Sequence, residues 1–277
     1  MKLETYLQRI HYSGAREVTL ATLRALHRAH LLAIPYENLD IHLGRPLTLD
    51  LAHIYHKLVE ERRGGWCYEM NGLFAWALRE LGFDVTLLGS TVGAPAQGID
   101  GDQDHLILRV QLDQPWLVDV GFGNGFLEPL PLTPRTYPHN FLEFRLEQQN
   151  DSWYFHNHAH GAQGYGFTLH PRQLAGFARG CHILQTSPES GFVRVTVCHR
   201  FTQQGIVSLR GTLLKQITTA GVSEEEITSP ERYMEVVNAI FGLDATIATV
   251  LWEKVWQGHV AWKEEQANAQ EEQANAQ

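Results

Sequence analysis

Apolar residues in the first third of the chain recur every three or four positions, the period of helices that bury one face. Leu3, Tyr6, Leu7 and Ile10 make a short stripe that Tyr12-Ser13-Gly14 interrupts. Leu20, Leu23, Leu26 and Leu31 make a second, over residues 20–32. Thr19 is placed to cap it, and Ile34-Pro35 ends it because proline disfavours helix in the residue before it. His27 and His30 share this arc with no carboxylate or cysteine, and read as partly buried, hydrogen-bonded histidines. A third helix is predicted over 51–60, capped by Asp50, with Leu51, Ile54, Tyr55 and Leu58 inward. The fullest stripe is Trp66, Met70, Leu73, Phe74, Ala77, Leu78 and Leu81, closed by Gly82. Together these elements predict a small helical bundle.

From Asp84 the period shortens to that of strands. Val85–Leu88, His105–Val110, Trp116–Val120, Phe141–Phe144, Trp153–Phe155 and Val193–Val197 are short β-type runs. Turn formers separate them, as in Gly98-Ile99-Asp100-Gly101-Asp102 and Asp113-Gln114-Pro115. This pattern predicts a barrel or a sandwich, and periodicity does not choose between them. The last part mixes strand (Gly205–Leu209) with a helical run that Pro230 opens and Gly242 closes. The repeat Glu-Glu-Gln-Ala-Asn-Ala-Gln at 264–270 and 271–277 has no apolar face, which predicts a solvated, frayed or disordered end.

Composition narrows the function. A chain of 277 residues, 44% hydrophobic and 19% charged, can bury a substantial core in two or three packed units. A net charge of −9 without a dense basic run argues against nucleic acid or an anionic membrane as partner. No apolar run is long enough to span a bilayer, and the N-terminus lacks the layout of a signal peptide. Three cysteines, Cys67, Cys181 and Cys198, are too few for a disulfide framework and fit a reducing cytoplasm.

Cys67 carries the sharpest chemical signal. Gly64-Gly65 precedes it, so it enters the first turn of its helix through a joint that permits close backbone approach. Free N–H groups at a helix start favour a thiolate, and a nearby histidine could hold the proton of such a nucleophile. The alternative is a small buried hydrophobe, the common fate of an intracellular cysteine. Candidate partners are His105, which opens one strand, and Asp119, near the end of the next. An antiparallel hairpin brings those ends close, and a carboxylate beside an imidazole selects its tautomer. Each residue taken singly has an ordinary structural reading, but Asp119 inside an apolar run needs a partner to justify its burial. His156, His158 and His160 alternate along a predicted strand and could share a face, but no fourth metal ligand accompanies them. Gly121-Phe122-Gly123-Asn124-Gly125 is a weak nucleotide-loop signal, since no Lys-Ser/Thr follows.

These residues, with others in order along the chain, resemble the arylamine N-acetyltransferases in their shorter bacterial form. The matching stretches are Ile34-Pro35-Tyr36-Glu37-Asn38-Leu39-Asp40, Arg63-Gly64-Gly65-Trp66-Cys67-Tyr68-Glu69-Met70-Asn71-Gly72, His105, Asp119-Val120-Gly121-Phe122-Gly123 and Thr186-Ser187-Pro188-Glu189-Ser190-Gly191-Phe192. The resemblance spans roughly residues 3–245. It implies an α+β fold: a helical bundle (1–83) carrying the cysteine, a β-barrel (84–190) carrying the histidine and aspartate, and an α/β lid (191–262), with the polar tail (263–277) unmatched. It implies a cysteine-protease-like core in which Cys67 is nucleophile, His105 base and Asp119 orienting carboxylate. Acetyl-CoA would acetylate Cys67, and an arylamine or hydrazine would take the acetyl group in a second step, with no metal. It further implies that Phe122 and Val92 line the acceptor pocket, that Ser190 meets the coenzyme, and that Arg63 anchors its loop through a carboxylate such as Glu37. Glu189 and Gly191 depart from the hydroxyl side chains of relatives, and a carboxylate there would repel CoA phosphates. The rival readings are an amide synthase of the same fold acting on a polyketide chain, a Cys-His-Asp hydrolase or transglutaminase-like enzyme, and a non-catalytic binding module.

Overall fold

The computed structural model describes residues 1–94 and 103–275, the last ten in backbone alone, so the turn expected at 98–102 lies outside the described residues. Helices α1 (Leu3–Arg9), α2 (Leu20–Ala33), α3 (Leu39–His42), α4 (Leu51–Tyr55) and α5 (Cys67–Glu80) fill the first third. The expected caps form: Thr19 Oγ1 accepts the Thr22 amide at 3.2 Å, and Asp50 accepts that of His53 at 2.8 Å. The helix predicted over 51–60 is instead α4 followed by a π turn at His56–Glu60, within which Lys57 is buried. His27 and His30, expected to be half-buried, are wholly buried, bonding Leu127 O (2.9 Å) and Tyr6 Oη (2.8 Å).

The middle of the chain forms one antiparallel sheet. Its strands are β2 (Asp84–Val92), β3 (His105–Gln111), β4 (Pro115–Val118), β5 (Leu130–Pro131), β6 (Arg135–His139), β7 (Leu142–Gln149), β8 (Ser152–His156) and β9 (Tyr165–Arg172). A two-residue strand, β1 (Tyr36–Glu37), precedes them and belongs elsewhere. The order β5-β4-β3-β2-β9-β8-β7-β6 curls into a nearly closed barrel. Its edges meet across residues 132–134, where Tyr137 Oη donates to Pro131 O and to Thr133 O, each at 2.7 Å. On β7, Leu142, Phe144 and Leu146 face in while Glu143, Arg145 and Glu147 face out. Phe126, Phe144, Phe155 and Tyr165 fill the interior with mostly edge-on or tilted ring contacts.

A second sheet takes the order β1, β10 (Val197–Phe201), β11 (Gly205–Arg210), β12 (Leu213–Thr218) and β13 (Gly221–Glu226). Helices α6 (Ala178–Thr186) and α7 (Gly191–Arg194) lead into it, and α8 (Pro230–Glu235) and α9 (Ala245–Asn275) cover it over a core that includes Leu209, Tyr233, Val237, Phe241 and Leu251. The run Val193–Val197, predicted as a strand, is divided: Ser190 Oγ accepts the Phe192 amide and holds a helical turn, and β10 begins only at Val197. The tail also departs from expectation. The α9 backbone stays helical to Asn275, in keeping with the helix propensity of Ala, Glu and Gln.

Under α5 lies a cluster of buried charge. Arg63 Nη2 donates to Glu37 Oε1 (2.7 Å), as expected, and also to Asp40 Oδ1 (2.9 Å). Lys57 Nζ meets Asp40 Oδ2 at 2.8 Å and the Glu69 oxygens at 2.9 and 3.0 Å. Glu69 Oε2 in turn accepts the Trp66 amide at the start of α5 (3.2 Å). Burial alone would push the Lys57 ammonium down, but Glu69, Glu37 and Asp40 outweigh it and hold it above the ordinary lysine range. Close approach of the chain here needs Gly64, where a Cβ would sit 2.3 Å from Pro35 O. Removing a buried cation strands its partners, so Lys57→Met is expected to cost about 3–5 kcal/mol of unfolding free energy. Urea unfolding at neutral pH measures it, and a variant as stable as the wild type would contradict the role given to this cluster.

Candidate active site

Three elements converge where α5 starts. Cys67 is its first residue, with Trp66 as N-cap, and it is buried. β3 begins at His105 and pairs with β4 so that Leu108 faces Val118, which leaves Asp119 just past the end of β4. His105 is therefore a diagonal neighbour of Asp119, and its Nε2 donates to Asp119 Oδ2 at 2.8 Å. The thiol lies against the same strand start. Its Sγ–H points to the Asp104 carbonyl at 3.9 Å, and the Leu106 amide donates to the sulfur, so the residues on either side of His105 bracket it.

The Asp119 carboxylate has no solvent exposure. Burial pushes its carboxyl up, but His105, then the Asn71 and Gly121 bonds, reverse this and hold it below the ordinary carboxylate range. Asn71 Nδ2 donates to Asp119 Oδ1 (2.8 Å), and the Gly121 amide donates to the same oxygen (2.8 Å). Asn71 further donates to Leu106 O (2.6 Å) and accepts the Val120 amide (2.9 Å). One side chain thus ties α5, β3 and the loop after β4. Gly121 permits that loop to lie on the backbone of Cys67, since a Cβ there would be 2.7 Å from Cys67 Cα.

Burial and neighbouring charge oppose ionisation of the thiol. Burial pushes it well up, the Asp104 charge adds to this, and the Leu106 amide only partly offsets them. A cysteine so placed reacts as a nucleophile only if a neighbour takes its proton. With Nε2 committed to Asp119, the other ring nitrogen of His105 is the one left for that purpose.

The remaining expected residues fall as follows. Phe122 is half-buried and packs on His105 (5.3 Å between ring centroids) and on Tyr165 (5.0 Å). Val92 ends β2 with 37% of its surface exposed, and its amide donates to Asp104 Oδ1 (2.9 Å). Ser190 is buried, and its hydroxyl is already engaged: it donates to Leu184 O (2.6 Å) and accepts from Phe192 N (3.2 Å). Glu189 is paired with Arg194 at 2.5 Å.

The three alternating histidines do not converge. His156 bonds Glu147, His158 is buried against Asn124 O (2.9 Å), and His160 is exposed in a turn. No group of three or more metal-ligating side chains is assembled among the described residues. Asn71 is the residue whose importance the sequence reading passed over. Its signal was its place: one helical turn from Cys67, an amide on a helix whose inward positions are otherwise largely apolar.

A family model described as N-acetyltransferase matches residues 19–250. The pineal gland isozyme NAT-3 of Gallus gallus, an arylamine N-acetyltransferase, is 39% identical over 243 residues, covering 78% of this chain and 83% of that one. The arylamine N-acetyltransferase structure from Nocardia farcinica matches with a TM-score of 0.82 at 38% identity, covering 91% of this chain and 93% of that one. The Mycobacterium marinum arylamine N-acetyltransferase, solved in complex with CoA, matches with a TM-score of 0.83 at 30% identity, covering 92% and 99%.

Replacing Asn71 by Ala would leave a buried carbonyl and amide unpaired and Asp119 short of a donor. The variant is expected to lose about 1–3 kcal/mol of stability in urea unfolding. In the folded variant, alkylation of Cys67 at neutral pH should slow by roughly tenfold, the equivalent of one unit in the balance between thiol and imidazole. An unchanged alkylation rate would contradict the coupling of Asn71 to the site.

Proposed function

The chain belongs to the arylamine N-acetyltransferase family, and from that premise we propose that Cys67 carries the acetyl group in transit, with His105 as its base and Asp119 orienting the imidazole. The protein is an acyltransferase that moves acetyl groups to arylamines. The observation that carries the residue roles is the 2.8 Å His105–Asp119 bond beside a thiol bracketed by Asp104 and Leu106.

The donor is acetyl-CoA, a reading supported by the CoA complex of the Mycobacterium marinum relative. His105 takes the Cys67 proton at the nitrogen not held by Asp119. The sulfur attacks the acetyl carbonyl, the bond from that carbon to the CoA sulfur breaks, and CoA leaves as a thiol with the proton from His105. An arylamine or hydrazine nitrogen, unprotonated at neutral pH, then attacks the thioester carbon. His105 accepts the N–H proton, the carbon–sulfur bond to Cys67 breaks, and the thiol is restored as the amide departs. Burial keeps water from the thioester between the two steps.

Phe122 forms a wall of the acceptor pocket through its packing on His105, with Val92 at the rim. The segment around Ser190 meets CoA; its hydroxyl caps α7, and the Arg194 pairing of Glu189 moderates the carboxylate's repulsion of phosphates. The functional units are a helical bundle (1–83), a barrel (84–190) and an α/β lid (191–262). The three cysteines are free thiols, which supports a reducing cytoplasm as the enzyme's location.

Incubation of the protein with acetyl-CoA and no acceptor should add one acetyl group, mapped by peptide mass to Cys67. Cys67→Ala should not label, and an added arylamine should discharge the label as its amide. Absence of labelling, with the thiol still open to alkylation, would rule out acetyl-CoA as the donor.

A further inference from the structure

Asp104 has no part in the roles above, yet it adjoins both reacting side chains. Its carbonyl accepts the Cys67 thiol at 3.9 Å, and it directly precedes His105. Its carboxylate is tethered by the Val92 amide on Oδ1 at 2.9 Å, and this bond partly offsets the burial that pushes its carboxyl up. The carboxylate belongs to the residue whose own carbonyl meets the thiol, so its charge lies within a residue's span of the sulfur and adds to burial in pushing the thiol up.

An acceptor bonded at the acetyl carbon on that sulfur cannot avoid this charge. A one-ring arylamine is small enough that every substituent stays within about one Debye length, ~8 Å at physiological salt, of the site's immediate surroundings. A neutral ring is indifferent to the carboxylate, whereas an anionic one is repelled.

We propose that Asp104 is a specificity-determining residue that disfavours acceptors bearing a negative charge, so that neutral arylamines and hydrazines are preferred over aminobenzoate-type acceptors. The inference rests on acetyl transfer through Cys67. Repulsion between unit charges about 8 Å apart at an effective dielectric of about 30 corresponds to roughly a tenfold difference in kcat/KM.

The test uses the full-length enzyme with acetyl-CoA and two acceptors that differ in charge alone, 4-aminobenzoate and its methyl ester. Asp104→Asn keeps an oxygen to accept the Val92 amide and removes the charge. The ratio of kcat/KM for the acid to that for the ester should rise on the order of tenfold in the variant. In the wild type the same ratio should climb with added potassium chloride, and in the variant it should respond far less. A ratio that is the same in both proteins, or equally salt-dependent in both, would overturn the proposal whatever happens to the ester's own rate. The salt series on the wild type alone decides the matter if the variant does not fold: a flat ratio overturns the proposal. If the wild type acetylates neither acceptor nor any other arylamine, the reading of the site fails, and this inference falls with it.

Discussion

A carboxylate with no access to water cannot remain charged unless donors surround it, and the site is arranged around meeting that demand at Asp119. The donors come from three separate parts of the chain: His105 at the start of β3, Asn71 one turn into α5, and Gly121 in the loop after β4. Satisfying the anion therefore fixes the helix bearing Cys67 against the strand bearing His105. The meeting of these two elements is a by-product of solvating a buried charge. Burial resists ionising Asp119, His105 and the two other donors favour it, and the net direction is downward, so the bonds win.

The same logic is repeated beneath Cys67. Arg63 and Lys57 face Glu37, Asp40 and Glu69, and each of these side chains is buried. Glu69 then holds the Trp66 amide at the N-cap. A charge-paired floor of this kind is weak as a source of stability but strong as a constraint, since removing any one member strands another. It holds the Arg63–Trp66 approach in one conformation, with Gly64 pressed to Pro35 O more closely than any side chain would allow. The cost of burying these charges is set against a precisely aimed helix start.

Much of this was legible in the residues. Helical stripes, the Thr19 and Asp50 caps and the place of Cys67 in the first turn follow from local spacing and local chemistry, whereas the Arg63–Glu37 pair, 26 residues apart, came from the family resemblance. What was not legible depends on contacts between distant segments. The π turn that buries Lys57 interrupts the α-helix expected over 51–60, although Ile54, Tyr55 and Leu58 stay inward, because its reward, the Asp40 and Glu69 carboxylates, comes from elsewhere. The run 193–197 has strand composition, but Ser190 supplies a cap that turns its first half into helix. Closure of the sheet into a barrel rests on edge contacts such as Tyr137 to Pro131, which no period in the sequence announces. His156, His158 and His160 alternate as letters, yet the strand ends at His156, and only His158 and His160 remain side by side.

The central claim is that a thiol pushed up by burial becomes reactive because the Asp119-held imidazole accepts its proton. The rate of Cys67 alkylation by iodoacetamide, followed across pH in the wild type and in His105→Gln, tests it most directly. The account expects the wild type to react rapidly at neutral pH with a flat dependence, set by a thiolate–imidazolium pair. The variant should be nearly inert there and should gain reactivity only well into the alkaline range, where an isolated buried thiol ionises. Matching profiles in the two proteins would contradict it, and would mean that the helix start alone, without His105, activates the cysteine.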